Sequence, residues 1–91
     1  KERLKKLLIR RFAMKKEDIL QLIKEALDAE NEINNESSEE NIPEWDSLGH
    51  LSILTALDEA TGGKASSISD LSEATSVKKI FDIFEKEGII E

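Results

Sequence analysis

The chain contains no cysteine, one histidine, one proline and one tryptophan among its 91 residues. Without cysteine there is no disulfide framework and no thiolate metal site. A single histidine with no thiol partner, His50, cannot build an ordinary zinc site. The expected setting is therefore reducing and cytoplasmic. No apolar run approaches the roughly 18–20 residues that a membrane span needs, and no secretory apolar stretch stands near the start. Aromatic residues make up only 4% of the chain, so the core must come from regularly spaced Leu and Ile with a few Phe. A chain of this length forms one domain and buries about 60–65% of its unfolded surface. That is enough for one modest core, and too little for the deep enclosed site of a typical enzyme.

Charge is abundant and unevenly spread. Residues 1–16 hold eight of the 13 Lys and Arg against one acid, Glu2, a surplus of +7; the rest of the chain carries five bases and 19 acids, or −14. The acidic body repels nucleic acid and anionic lipid and favours partners with basic patches. The basic arm has three readings: a helix that binds an acidic partner or membrane surface, a segment folded against the acidic body, or a disordered extension. Leu4, Leu7, Leu8 and Phe12 would line one face of such a helix. Met14 then marks a natural start, which places the arm at residues 1–14 and the folded domain at residues 15–91.

Helical spacing accounts for most of the domain. Ile19, Leu22, Ile23, Ala26 and Leu27 form an amphipathic stripe, with Glu17 and Asp18 in the first turn facing the positive end of the helix dipole. Residues 28–44 are polar and acidic and read as a long loop closed by Ile42 and Pro43; loops of that length are usually functional. Asp46-Ser47 signals a helix start, followed by Leu48, Leu51, Leu54, Leu57 and Ala60 with Ile53 beside them. Gly62-Gly63 stops that helix. Ile68 and Leu71 fit one short helical piece. Thr75-Ser76 offers a cap for a last helix carrying Val77, Ile80, Phe81 and Phe84 and ending at Gly88. Only Ile89-Ile90 is ambiguous. The expected fold is all-α: three longer helices and one short one.

Ser47 is the residue with chemistry to offer. A serine at the start of a helix that follows a long loop is exposed, beside backbone N–H groups that lack intrahelical partners. Those groups and the helix dipole favour a phosphate there, by roughly 0.3–1 kcal/mol for each exposed charge. Two readings stay open on helix logic alone: Ser47 caps its helix, or it carries a phosphodiester. Nucleophilic catalysis fits poorly, because His50 is the sole base in sight and nothing evident orients it.

From Lys15 onward the chain resembles the acyl carrier protein family. The resemblance rests on the Asp46-Ser47-Leu48 triplet, the long acidic loop before it, and the helix after it with Leu51, Ile53-Leu54 and Ala56-Leu57-Asp58-Glu59. Thr75-Ser76-Val77 sits at the family spacing that opens the last helix. Trp45 ahead of the triplet and Gly49-His50-Leu51 after it are similar to discrete carriers outside ordinary fatty-acid synthesis. The resemblance implies a four-helix bundle of the acyl-carrier type that is not itself an enzyme. It implies a 4'-phosphopantetheine arm, moved from coenzyme A onto Ser47 by a phosphopantetheinyl transferase, with Asp46 and Leu48 flanking the attachment point. The arm's thiol would carry acyl intermediates of fatty-acid-like or polyketide biosynthesis as thioesters. Leu51, Leu54, Ile68, Leu71 and Ile80 are expected to line the acyl space. Glu44, Trp45, Asp58 and Glu59 are expected to meet the enzymes that load and use the carrier, while a second reading of Trp45 has it pin the loop onto the bundle. The alternatives are an interaction module with unmodified Ser47, or an aminoacyl or peptidyl carrier.

Two departures from the family pattern stand out. Gly49, His50, Ser52 and Thr55 replace much of the acidic surface usual on the recognition helix. Thr61 with Gly62-Gly63 stands where an apolar or aromatic residue is usual, which is expected to loosen the link to the short helix. Gly62-Gly63-Lys64 lacks the strand, first glycine and following Ser/Thr of a phosphate-binding loop, and Ile33 occupies the turn-glycine position that a calcium loop over residues 28–39 would need.

Overall fold

The computed structural model describes residues 14–90. Three α-helices form where the apolar spacing requires them: α1 (Lys16–Leu27), α2 (Ser47–Ala60) and α3 (Val77–Lys86). Two short 3-10 segments, Ala65–Ser67 and Ser69–Glu73, take the place of the single short helix expected between α2 and α3. No β-strand occurs among the described residues, and the fold is all-α. None of the described helices is long and apolar enough to cross a membrane. The basic arm lies outside the described residues apart from Met14. Met14, assigned to the arm on sequence, packs in the core and pairs with Ile90 in an isolated parallel bridge, its N–H donating to the Ile89 carbonyl at 2.7 Å. Ile89-Ile90 thus follows α3 as a bridge segment rather than as helix.

Each helix buries a stripe at helical spacing: Ile19, Ile23 and Leu27 on α1, and Val77, Ile80, Phe81 and Phe84 on α3. Helix α1 ends at Asp28, whose φ of 50° turns the chain left-handed while its N–H and that of Ala29 close onto the Glu25 and Lys24 carbonyls. Ser76 caps α3 as expected, accepting from the Lys79 N–H at 3.1 Å.

The stripe on α2 differs from the expected one. The buried residues are His50, Ile53 and Leu57, continued by Thr61 just past the helix end. Leu48 and Leu51 face solvent instead, at 75% and 59% exposure. The apolar positions of α2 exceed what one face can bury, so spacing alone supports either of two stripes about 100° apart. The structure selects the one that contains the histidine.

The acidic loop is more ordered than its composition implies. Ala29, Ile33, Ile42 and Trp45 are all buried and join the core. Its middle is stitched to the start of α3: Val77 N–H donates to the Ser37 carbonyl at 2.9 Å, and Glu39 N–H to the Thr75 carbonyl at 3.0 Å. Side chains brace it from within, as Ser37 Oγ accepts from Asn34 N–H and Asn41 Oδ1 from Ser38 N–H, both at 2.9 Å. Thr61 likewise reverses its expected effect. Fully buried, its hydroxyl donates to the Leu57 carbonyl at 2.8 Å and accepts from Ala65 N–H at 3.0 Å, tying α2 to the first 3-10 segment.

Candidate functional site

Ser47 is the first residue of α2 and is exposed. The capping reading is resolved against it. Asp46 is the cap, its Oδ1 accepting from the Gly49 N–H at 2.8 Å, and Ser47 follows one position inside. The serine hydroxyl is thereby released from the task that most often occupies a serine at a helix start. No acid lies in the first turn of α2 itself, so the positive end of the helix is offset only by the cap.

The segment leading into Ser47 is held from behind. Trp45 is 2% exposed and His50 8%. The indole Nε1 donates to His50 Nδ1 at 3.1 Å, and His50 Nε2 lies 3.0 Å from the Leu71 carbonyl oxygen. An indole N–H can only donate, so Nδ1 must be the bare nitrogen and Nε2 must carry the proton that it gives to Leu71. The rings lie nearly parallel, 17° apart with centroids separated by 6.3 Å. This latch joins the loop, α2 and the second 3-10 segment through groups buried among apolar side chains. Of the two readings of Trp45, the structure favours the one in which its ring pins the loop over the one in which it anchors a partner. His50 is buried, and with both ring nitrogens committed it has no lone pair to offer Ser47 as a base.

Gly49 explains why the loop can sit so close. A Cβ at this position would fall onto the Glu44 carbonyl oxygen and within 2.8 Å of Leu27 Cδ2. The chain entering the helix crosses directly over the first turn, and only a glycine leaves room. Glu44 is half-buried rather than a free surface acid: its Oε2 accepts from the Glu30 N–H at 3.3 Å, which ties the end of the loop to its beginning. Its Oε1 is buried without a partner.

The remaining expected site residues fall into three groups. Glu59, with Asp46, Leu48 and Leu51, is exposed on the surface of α2 around and beyond Ser47. Leu51 therefore does not line an internal space; with Leu48, Ala26 and Thr55 it borders an open groove of about 430 Å³. Leu54 and Ile68 are half-buried and line a second open groove, of about 410 Å³, between α2 and the 3-10 segments. Asp58 stands at the edge of that groove, where its Oδ1 accepts from Ser66 N–H at 2.9 Å. Leu71 and Ile80, both expected to line the acyl space, are packed in the core and border neither groove. No cluster of three or more potential metal ligands occurs among the described residues. The latch was missed on sequence, although its signal was present: a tryptophan and a histidine five apart, straddling a helix cap.

Compared with protein-family models, with curated proteins and with solved structures, the chain matches none.

Proposed function

We propose that this chain is an acyl carrier, with Ser47 as the attachment point of a 4'-phosphopantetheine arm. One observation carries the reading: an exposed serine hydroxyl on the first turn of a helix whose cap is supplied by its neighbour, Asp46. The residues fit a phosphodiester there. Ser47 is exposed, and the unpaired N–H groups of the first turn provide donors for phosphate oxygens. In the transfer, the Ser47 hydroxyl would form a bond to the pantetheine-side phosphorus of coenzyme A. Adenosine 3',5'-bisphosphate would leave, and the hydroxyl proton would pass to the transferase. When bound, the arm supplies a terminal thiol that holds an acyl group as a thioester.

The rest of the chain positions this hydroxyl. The Trp45–His50–Leu71 latch and the Gly49 crossing hold the start of α2, so that Ser47 is presented on a fixed support. Exposed Leu48 and Leu51, with Asp46 and Glu59 nearby, make the mixed apolar and acidic surface that a transferase or biosynthetic enzyme with a basic patch would meet. In this reading the two 3-10 segments stand for the short helix of a carrier-type four-helix bundle, and the protein works in the cytoplasm without catalytic activity of its own.

The test is direct. The protein is incubated with coenzyme A and a broad-specificity phosphopantetheinyl transferase, and its intact mass is measured. A gain of one phosphopantetheine, absent in Ser47→Ala, is expected. No gain in a folded sample would refute the carrier reading and leave the exposed Leu48–Leu51 surface as the mark of an unmodified interaction module.

A further inference from the structure

Resting on the carrier reading, we infer that the cargo is a short acyl group bearing a hydrogen-bond donor, held in the open groove between α2 and the 3-10 segments rather than inside the bundle.

The groove lies in line with the attachment point. At 100° per residue, positions 54 and 58 each return to within about 20° of position 47, on either side of it, so Ser47, Leu54 and Asp58 lie along one face of α2. Leu54 is about 10 Å along the axis from Ser47, and Asp58 about 16 Å. Cargo hung from Ser47 and laid along the helix therefore arrives at this groove.

Its lining is selective. The apolar part is small, consisting chiefly of half-buried Leu54 and Ile68. Most of the polar rim is made of hydroxyls whose own protons are already given away; Ser69, which also lines the groove, is the exception. Thr55 Oγ1 donates to the Leu51 carbonyl at 3.0 Å, Ser66 Oγ to the Gly63 carbonyl at 2.8 Å, and Ser72 Oγ to the Ser69 carbonyl at 2.9 Å. A hydroxyl that has spent its one proton presents only lone pairs. Asp58 adds a carboxylate, with Oδ1 engaged by Ser66 N–H and Oδ2 left to accept. Among the described residues, no lysine or arginine lines the groove. A rim with four such acceptors (Thr55, Ser66, Ser72 and Asp58) against one free hydroxyl, around a small apolar floor, favours a ligand that brings donors, such as a hydroxyl or an ammonium, on a short carbon skeleton.

The interior is closed to a long chain by the latch. An aliphatic chain passing inward between α2 and the second 3-10 segment would break the His50–Leu71 hydrogen bond and strand buried polar groups that it could not satisfy.

The test loads Ser47 by a phosphopantetheinyl transferase from four coenzyme A thioesters: butyryl, 3-hydroxybutyryl, β-alanyl and dodecanoyl. Two readouts are taken: the half-life of each thioester relative to the same acyl group on free pantetheine, and the amide shifts of Ser66, Ser69 and Ser72 relative to the form carrying the arm with a free thiol. The hydroxybutyryl and β-alanyl forms are expected to shift those amides and to persist roughly threefold to tenfold longer than butyryl, the worth of one hydrogen bond. Dodecanoyl should gain nothing beyond butyryl. Asp58→Asn, which keeps an acceptor for Ser66 N–H, should reduce the protection of β-alanyl while sparing hydroxybutyryl, and so separate the ammonium from the hydroxyl. The proposal is overturned if dodecanoyl is protected best and shifts Leu57 and Phe84, if butyryl matches the two donor-bearing groups, or if the free-thiol form alone produces the serine shifts. Failure to load any thioester onto folded protein removes the carrier reading and this cargo together, whereas loading without discrimination removes the cargo alone.

Discussion

Replacing His50 by leucine tests the latch most sharply, because the volume is nearly kept while both hydrogen bonds are lost. The Trp45 N–H, 3.1 Å from His50 Nδ1, and the Leu71 carbonyl, 3.0 Å from His50 Nε2, would each lose a buried partner. A buried polar group left unpaired costs about 1–3 kcal/mol. Two such groups, offset in part by the more apolar leucine, give an expected loss of about 2–4 kcal/mol. For a domain of this size each kcal/mol lowers Tm by roughly 4–8 °C, so a fall on the order of 10–20 °C should follow. Since whole-domain stability runs near 0.05–0.15 kcal/mol per residue, that is a large share of the total. The decisive measurement is a double-mutant cycle with Trp45→Phe, followed by urea denaturation. Because Trp45 is the sole tryptophan, unfolding of all four proteins must be read by far-ultraviolet circular dichroism rather than fluorescence. In the double variant neither the indole N–H nor its acceptor remains, so the pair should lose about 1–2 kcal/mol less than the two single changes together. Additive single effects, or a leucine variant within 0.5 kcal/mol or so of the parent, would refute the latch.

Two further outcomes bear on the same helix start. Gly49→Ala should destabilise by about 2 kcal/mol or more, although alanine ordinarily improves a helix interior by roughly 0.5–1 kcal/mol, because the new Cβ meets the Glu44 carbonyl and Leu27; a stabilised variant in urea denaturation would show that the loop does not cross there. Asp46→Ala should cost about 1 kcal/mol through loss of the cap, whereas Ser47→Ala should stay within about 0.5 kcal/mol. Thermal melts that reverse this order would return the capping role to Ser47.

Helix positions were legible in the sequence because apolar spacing and capping residues act locally. The α1 and α3 stripes, the Ser76 cap and the stop after Ala60 all follow from neighbours a few residues apart. What could not be read depends on contacts between distant segments. The choice of buried face on α2 turned on His50 finding partners in Trp45 and Leu71, the latter 21 residues away. By periodicity alone Leu48 and Leu51 were as good as core residues, and a histidine was not. The order of the acidic loop was hidden for a related reason. Ile33 and Ile42 are too isolated to show a period, yet each finds the core once the Ser37 and Glu39 backbone pairs with the start of α3. The short helix was read as one piece because Ile68 and Leu71 are three apart, a spacing that a 3-10 turn satisfies as well as an α-turn. At the candidate site, sequence located the exposed hydroxyl but left Trp45 between anchoring a partner and pinning the loop, and assigned Leu51, Leu71 and Ile80 to a shared acyl space. Burial, which no local pattern specifies, separates them.

The bridge between Met14 and Ile90 brings both ends of the described segment to one spot. Anything joined ahead of residue 14 or after residue 90 must therefore set out from the same corner of the molecule. A neighbouring domain, tag or solid support could be attached there through either end with the same geometry, and splicing the two ends together to open the chain at an exposed turn would need only a short linker.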